Sequence, residues 1–213
     1  MDGIQPSDRP GASRRRGERR GGYTLVELLI VVALIGLAGM IVVPSLSNKS
    51  DSDVQAAIRK LIGDLSFAHS DAIARQAYRR VRFFPDGTGY AIVRETADSY
   101  TDIFDPATAD YINDPLGSTG SLGRYIVDYG LDTRFTDVAF ELVELDGDGL
   151  DLVFHPIGGI VGAGEMPSDG GRIVIRGGDS GFEVTVAAFT GKLSVRRLTD
   201  EELAEVMADG GDG

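Results

Sequence analysis

The chain of 213 residues contains no cysteine and only two histidines. The absence of cysteine excludes disulfide bonds, a thiol nucleophile and any cysteine-ligated metal site. The histidines, His69 and His155, are too few and too far apart in sequence to indicate a metal site or a catalytic base, and we interpret both as structural. No Ser/His/Asp arrangement or phosphate-binding loop is evident. The sequence therefore predicts a protein that is not an enzyme, with no catalytic residue, cofactor or metal.

Positive charge is scarce outside the first 22 residues. The chain has 33 acidic and 21 basic residues, and its formal net charge is −12. Residues 1–22 hold six arginines against three acids and form a basic leader. An acidic body lacks the basic footprint of a nucleic-acid-binding protein, and we regard a nucleic-acid-binding leader as the weaker hypothesis. The charge distribution therefore argues against nucleic acid as a partner.

An unbroken apolar run, Leu28–Val43, follows the leader. With its flanks it covers residues 23–46, which as a helix span roughly 36 Å and can cross a hydrocarbon core of about 30 Å. Basic residues before such a run keep that side in the cytoplasm. Pro44 is expected to kink or loosen the helix. The alternative is an ordinary cleaved secretory signal, but that hypothesis leaves Glu27 unexplained.

Glu27 places a charge at the mouth of the apolar run. Ionisable side chains in membrane segments are costly and usually functional. If the chain is cut after Gly22, Tyr23 becomes a new N-terminus, and its α-amine on a neighbouring subunit is a suitable partner for the Glu27 carboxylate. Such pairing offsets much of the desolvation of both charges. From spacing alone, an interfacial glutamate that reaches toward the lipid headgroups is an equal alternative.

The next segment, residues 47–80, has the spacing of an amphipathic half-helix that ends near Tyr78–Arg80. Its apolar residues recur at intervals of three and four and form one stripe, whereas charged residues such as Asp64 and Asp71 fall off it. The stripe consists of Val54, Ile58, Leu61, Leu65, Ala68 and Ala72.

Residues 81–198 are predicted to form an antiparallel β-sheet domain with an irregular insertion at 95–123. Thr199 and Glu202 have capping-box spacing at the start of an acidic tail, residues 199–213. The fold class is therefore α+β, with a long N-terminal helix packed on the sheet. The predicted strands are Val81–Phe84, Gly89–Arg94, Tyr125–Val127, Val138–Leu145, Leu150–Phe154, Arg172–Arg176, Phe182–Phe189 and Lys192–Arg196.

The acidic, glycine-containing segment Asp146–Asp151 superficially resembles a calcium loop. The spacing fails, because Leu150 occupies the third ligand position and Ile157 stands where the bidentate glutamate should be. Asp-Gly pairs are strong turn signals. We therefore predict a turn between strands at this position.

The segment Gly22-Tyr23-Thr24-Leu25-Val26-Glu27, with the apolar run behind it, resembles the cleavage and methylation signal of type IV pilins and type II secretion pseudopilins. The resemblance implies cleavage by prepilin peptidase between Gly22 and Tyr23 and N-methylation of Tyr23. It also implies a role for Glu27 in subunit assembly and makes Pro44 the helix-weakening proline. Tyr23 departs from the family's usual phenylalanine but keeps the aromatic ring.

A second resemblance lies in the C-terminal part. Phe154-His155-Pro156-Ile157-Gly158 and Thr190-Gly191-Lys192-Leu193 are similar to the closing strands and turns of the H-type minor pseudopilins and related minor pilins. This resemblance implies a structural minor subunit of a type II secretion pseudopilus. Its partners would be other pilin subunits and inner-membrane lipid, and its β-domain would lie outside the inner membrane of a bacterium.

Two alternatives remain at this stage. The first is a minor pilin of the DNA-uptake type, for which Lys192, Arg196 and Arg197 would form a small nucleic-acid patch. A solvated strand face is the preferred interpretation of those three residues. The second is a signal-anchored β-domain outside the cell that binds a ligand or acts as an enzyme.

Overall fold

The computed structural model describes residues 23–114, 123–135, 137–147, 149–162 and 167–209, with the backbone alone for residues 38–50. The predictions for the leader and for residues 210–213 lie outside these ranges, as does part of the predicted insertion. The chain divides into two compact units, residues 1–42 and 43–213. The β-domain belongs to the second unit.

A long helix, α1, extends from Leu25 to Arg75. The whole predicted apolar stripe in its second half is buried, with exposures of 5% or less. The helix ends because Gln76 takes a left-handed conformation, with φ of 52°. Gln76 N donates to Ile73 O, and Ala77 N donates to Ala72 O, which is the bonding pattern of a Schellman motif. The predicted end near Tyr78–Arg80 is therefore too late, because Tyr78 already begins a strand.

The described residues after α1 form ten strands and a short helix, and the predicted α+β class is confirmed. The bounds of β1 to β10 are Tyr78–Phe83, Gly89–Glu95, Asp110–Tyr111, Ile126–Asp128, Val138–Leu145, Asp151–Phe154, Ile160–Val161, Gly170–Gly177, Ser180–Ala187 and Leu193–Arg197. The helix α2, Asp200–Asp209, follows.

The strands make two antiparallel sheets. The first has the order β3-β2-β1-β6-β7, with β4 also paired to β2, and the second has the order β10-β9-β8-β5. Sequence reasoning missed β3, inside the predicted insertion, and β7. Both have only two residues, too few to show a period. The main core packs the buried stripe of α1 against residues of both sheets.

A capping box begins α2, as the spacing predicts. Glu202 N donates to Thr199 Oγ1 at 3.3 Å, and Thr199 N donates to a Glu202 carboxylate oxygen at 2.8 Å. Leu203 is buried and packs with Val174 and Leu198 in a small second cluster. A Cβ on Gly181 would lie only 2.7 Å from Leu203 Cδ1, so α2 packs closely over this glycine and a larger residue would displace the leucine side chain.

Arg79 in β1 is completely buried and joins the sheet to α1. Its Nε donates to Asp71 Oδ2 at 2.6 Å, and Arg75 Nε donates to the other carboxylate oxygen at 2.7 Å. Burial alone would raise the pKa of Asp71, but the two arginines hold that pKa below its ordinary value. The carboxylate is therefore kept ionised between two cations.

Arg80 is also buried but serves the opposite face of β1. Its Nε lies 3.2 Å from Glu95 Oε1. Its terminal nitrogens donate to the carbonyl oxygens of Ser99 and Asp102, at 3.1 and 2.9 Å. Successive side chains of a strand alternate between its two faces. Arg79 therefore binds α1, whereas Arg80 binds the loop after β2.

Asp64, which the spacing places off the apolar stripe, is nonetheless buried at 6% exposure. Its carboxylate accepts hydrogen bonds from the hydroxyls of Tyr90 at 2.5 Å and Tyr125 at 2.9 Å, and Lys60 Nζ lies 3.0 Å away. Burial is the main cause that raises the pKa of both tyrosines, so both hydroxyls remain donors. This network connects α1 to β2 and to the segment before β4.

Replacement of the Asp64 carboxylate should strongly destabilise the β-domain. We expect Asp64→Ala to lower the free energy of unfolding by about 3 kcal/mol, because it leaves two buried hydroxyls and a lysine without their partner. Urea unfolding of the detergent-solubilised full chain, followed by circular dichroism, measures the change.

Asp98→Ala is the matched control for this experiment, because Asp98 is exposed and the chemical change is identical. It should alter stability by no more than about 0.5 kcal/mol. Equal effects of the two substitutions would contradict the anchoring role of Asp64.

Candidate processing and assembly site

Thr24 determines where α1 begins. Glu27 N donates to Thr24 Oγ1 at 3.2 Å, and Leu28 N donates to Thr24 O at 3.1 Å. Thr24 is therefore the N-cap, and it satisfies one of the amides that the first turn would otherwise leave unpaired. Tyr23 precedes the cap and lies outside the helix, with its side chain 83% exposed. The structure thus places the predicted new N-terminus just before the helix.

Glu27 occupies the third position of the first helical turn. A carboxylate there interacts favourably with the positive end of the helix macrodipole, by about 0.3–1 kcal/mol. Thr24 and Glu27 also have capping-box spacing, a signal that was present in the sequence and that sequence reasoning missed. The charge at the mouth of the apolar run is therefore partly stabilised within its own helix.

The apolar side chains behind Glu27 are uncovered. Every described side chain from 23 to 37 is exposed, and large apolar ones such as Leu25 and Ile35 are 80% and 66% exposed. Apolar surface of this extent marks a site of contact with other molecules. Gly22 and the side chain of Pro44 lie outside the described residues, so the proposed cut and the proposed kink stay predictions.

Membrane crossing by α1 also stays a prediction. Among the residues whose side chains the structure describes, no helix has the length and mean hydropathy of a membrane span.

The two turns that carry the C-terminal resemblance pack against each other. Gly158 N donates to His155 O at 2.9 Å and closes the turn after Phe154. A Cβ on Gly191 would lie 2.7 Å from Ile160 and 3.4 Å from the Phe154 ring, so the second turn rests directly on the first. Gly191 also has a left-handed φ of 64°, which favours glycine at this position.

The two histidines lie near this contact, but they contact different residues. His69 stacks on Phe154, with ring centroids 5.0 Å apart. His155 packs edge-on against Tyr78, and its Nδ1 accepts a hydrogen bond from Ile157 N at 3.1 Å. Both sets of contacts are structural in kind.

The three residues of the proposed nucleic-acid patch do not form a set of free cations. Arg196 pairs with Glu183 at 2.9 Å and with Glu202 at 2.7 Å. These carboxylates raise the pKa of Arg196. Arg197 donates to Ser180 Oγ at 2.7 Å, whereas Lys192 is exposed. The charge of Arg196 is thus neutralised by two carboxylates, which favours the solvated strand face for this residue.

The acidic segment after β5 forms a tight turn in the part of the chain that is described. Leu145 and Gly149 exchange backbone hydrogen bonds at 3.0 Å. The Asp146 carboxylate oxygen Oδ1 accepts a hydrogen bond from Asp169 N at 2.7 Å. Asp148 lies outside the described residues. Among the described residues, those of this turn included, no group of three or more side chains is placed to hold a metal ion.

Comparison with known families addresses the N-terminal segment. Residues 18–43 match the family model described as the prokaryotic N-terminal methylation motif. This segment is that of a type IV pilin-like protein. Such a protein is processed by prepilin peptidase, is anchored in a bacterial membrane and assembles with other pilin subunits. No curated protein and no solved structure matches the chain significantly.

Removal of the Thr24 hydroxyl should fray the start of α1 in the pilin-like segment. We expect Thr24→Ala to weaken the first turn by about 1 kcal/mol, because the Glu27 amide loses its acceptor. Hydrogen exchange of the Glu27 amide in the micelle-bound chain measures this as roughly fivefold lower protection. Thr24→Ser, which keeps the hydroxyl, should retain protection, and an unchanged Thr24→Ala rate would contradict the N-cap.

Proposed function

We propose that this pilin-like chain is a structural minor subunit of the pseudopilus in type II protein secretion, and not a catalyst. The observation that carries the proposal is the start of α1. Tyr23 stands outside the helix, Thr24 caps it, and Glu27 lies in its first turn ahead of an exposed apolar surface. After a cut at Gly22, this arrangement would provide a terminus, a carboxylate and a packing surface within one segment.

Cleavage between Gly22 and Tyr23 would remove the basic leader and create an α-amine. An N-methylated amine keeps its positive charge at neutral pH. That charge on one subunit would pair with the Glu27 carboxylate of a neighbour, so that neither is left alone in an apolar environment. The exposed apolar surface behind Glu27 would exchange lipid contacts for contacts with equivalent helices, which pack by close van der Waals fit.

The β-domain supplies the support for the secretion variant. The Phe154 and Gly191 turns, which carry the resemblance to H-type minor pseudopilins, pack closely against each other. The DNA-uptake alternative depends on free positive charge near the C-terminus, and Arg196 is already engaged by two carboxylates. We therefore propose a subunit in the inner membrane, with the leader cytoplasmic and the β-domain on the other side.

Complementation of a strain that lacks this chain tests the proposal. The wild-type chain should restore release of exported proteins to the medium, with no change in DNA uptake. Glu27→Ala should be produced and processed but restore little or no secretion, because an unpaired amine opposes docking. Quantitative proteomics of the medium and a transformation assay measure the two outcomes.

Glu18→Ala is the control, since this acid lies in the leader that the cut removes. It should restore secretion fully. Restoration of DNA uptake without secretion would contradict the secretion assignment, and full activity of Glu27→Ala would remove the proposed role of the carboxylate.

A further inference from the structure

Strand β10 forms one edge of the second sheet. The order of this sheet is β10-β9-β8-β5, so β10 is paired on one side only, and four of its five residues are exposed. The opposite edge, β5, differs because Phe140 N donates outward to Gly87 O at 2.9 Å and the register shifts between Phe140 and Leu142. Among the described strands of this sheet, β10 is therefore the edge without a hydrogen-bonded neighbour on its outer side.

The hydrogen bonds of β10 to β9 show which of its backbone groups face outward. At the two ends, Lys192 O accepts from Ala187 N and Leu198 N donates to Gly181 O, each at 2.9 Å. An antiparallel ladder bonds every second residue, so the even-numbered residues of β10 face β9 and the odd-numbered residues face away. The open side carries the N–H and C=O groups of three residues: Leu193, Val195 and Arg197. Within the described residues, none of these groups has a hydrogen-bond partner.

A groove of about 340 Å³ lies between the Leu193 end of this edge and α1. It is lined by Ile62, Leu65 and Ser66 of α1, by Phe154 of β6 and by Leu193 of β10. Val195 lies on the same face of β10 as Leu193, because alternate side chains share a face, and it is 42% exposed. Most of the surface beside the open edge is therefore apolar.

A cation stands at each end of the open edge. Lys192 lines the groove at one end and is exposed. At the other end, Arg197 lies over the Phe182 ring, 6.0 Å from its centroid, and donates to Ser180 Oγ at 2.7 Å. Ser180 donates in turn to an Asp51 carboxylate oxygen at 2.5 Å, so a hydroxyl separates Arg197 from that carboxylate. Neither cation forms an ion pair with a described carboxylate.

The charges at the two ends of the edge argue against a second copy of this chain as its partner. Two β10 edges side by side would bring Lys192 and Arg197 of both copies into one short ladder, with no carboxylate on the edge to offset them. An extended segment with alternating apolar side chains and acidic ends fits better. It satisfies the open backbone groups, covers the apolar surface and pairs with both cations.

We propose that β10 receives such a segment, from a different protein, as an added strand. Its apolar side chains lie beside Leu193 and Val195, and its carboxylates lie beside Lys192 and Arg197. In strand addition the backbone hydrogen bonds supply affinity, and the alternate side chains supply specificity. The surface belongs to the β-domain and uses none of the N-terminal residues that carry the proposed function, so the inference goes beyond that function and can fail separately.

A synthetic peptide tests the proposal on the full chain in detergent micelles. The probe is Asp-Thr-Val-Thr-Ile-Asp with both ends blocked, and solvent exchange of backbone amides is measured by nuclear magnetic resonance. At a peptide concentration of about four times its Kd, protection should rise roughly fivefold at Leu193, Val195 and Arg197. It should change little at Ser194 and Arg196, because their amides already face β9.

A charge swap tests the acidic ends of the partner. A peptide that ends in Lys instead of Asp should bind roughly fivefold more weakly, as expected for a surface ion pair replaced by a repulsion. Lys192→Glu should weaken binding of the original peptide and restore binding of the Lys-ended peptide. This reciprocal rescue distinguishes a specific contact from damage to the fold.

A backbone change tests the strand pairing itself. Val195→Pro removes an N–H group on the open side and keeps the bonds to β9, since proline is tolerated where the N–H of an edge strand faces solvent. It should abolish the added protection at Leu193 and Arg197, with an unchanged circular dichroism spectrum. Val195→Ala is the matched control, because it also shortens the side chain but keeps the N–H group, and it should retain most of the protection.

Several results would overturn the proposal. They are equal protection at odd- and even-numbered residues of β10, equal binding of the Lys-ended peptide, and equal behaviour of Val195→Pro and Val195→Ala. Protection without peptide that rises with chain concentration would assign the edge to a second copy, and the same pattern with a short single-stranded DNA would assign it to nucleic acid. Each of these outcomes leaves the proposed cut before Tyr23 and the proposed function standing.

Discussion

Two carboxylates of α1, those of Asp64 and Asp71, lie where specific partners offset the loss of water. Asp64 accepts two tyrosine hydroxyls and a lysine, and Asp71 lies between two arginines. A buried charge without a partner is strongly destabilising, so these contacts hold the second half of α1 in one position on the β-domain. Glu27 is exposed in the single chain. In an apolar environment its carboxylate would also need a partner of opposite charge.

This constraint connects the fold to assembly. Within the chain, Thr24 and the helix macrodipole stabilise the start of α1, but they supply only part of what a carboxylate needs in an apolar environment. A positive group from a neighbour would supply the rest. If the leader is removed after Gly22, each subunit would gain such a group, and this would explain why the proposed cleavage site and Glu27 stand five residues apart in a pilin-like segment.

Local patterns predicted much of the fold. Apolar spacing identified the buried stripe of α1, the predicted strand Val138–Leu145 has the observed bounds, and Thr199 begins a capping box as expected. The burial of Asp64 and Arg79 could not be predicted, because their partners are distant in sequence or lie in another element. Asp64 is bound by tyrosines from the β-domain, and Arg79 in β1 binds a carboxylate of α1. The end of α1 was misplaced because Gln76, and not a glycine, takes the left-handed conformation.

We propose that this chain is cut between Gly22 and Tyr23 and enters a filament through its new terminus. Mass spectrometry of the mature protein from its own membrane tests this most directly. We expect an N-terminal peptide that begins with N-methylated Tyr23 and includes Glu27. An intact leader, or a mature chain that begins near Asn48 as after an ordinary secretory signal, would contradict it.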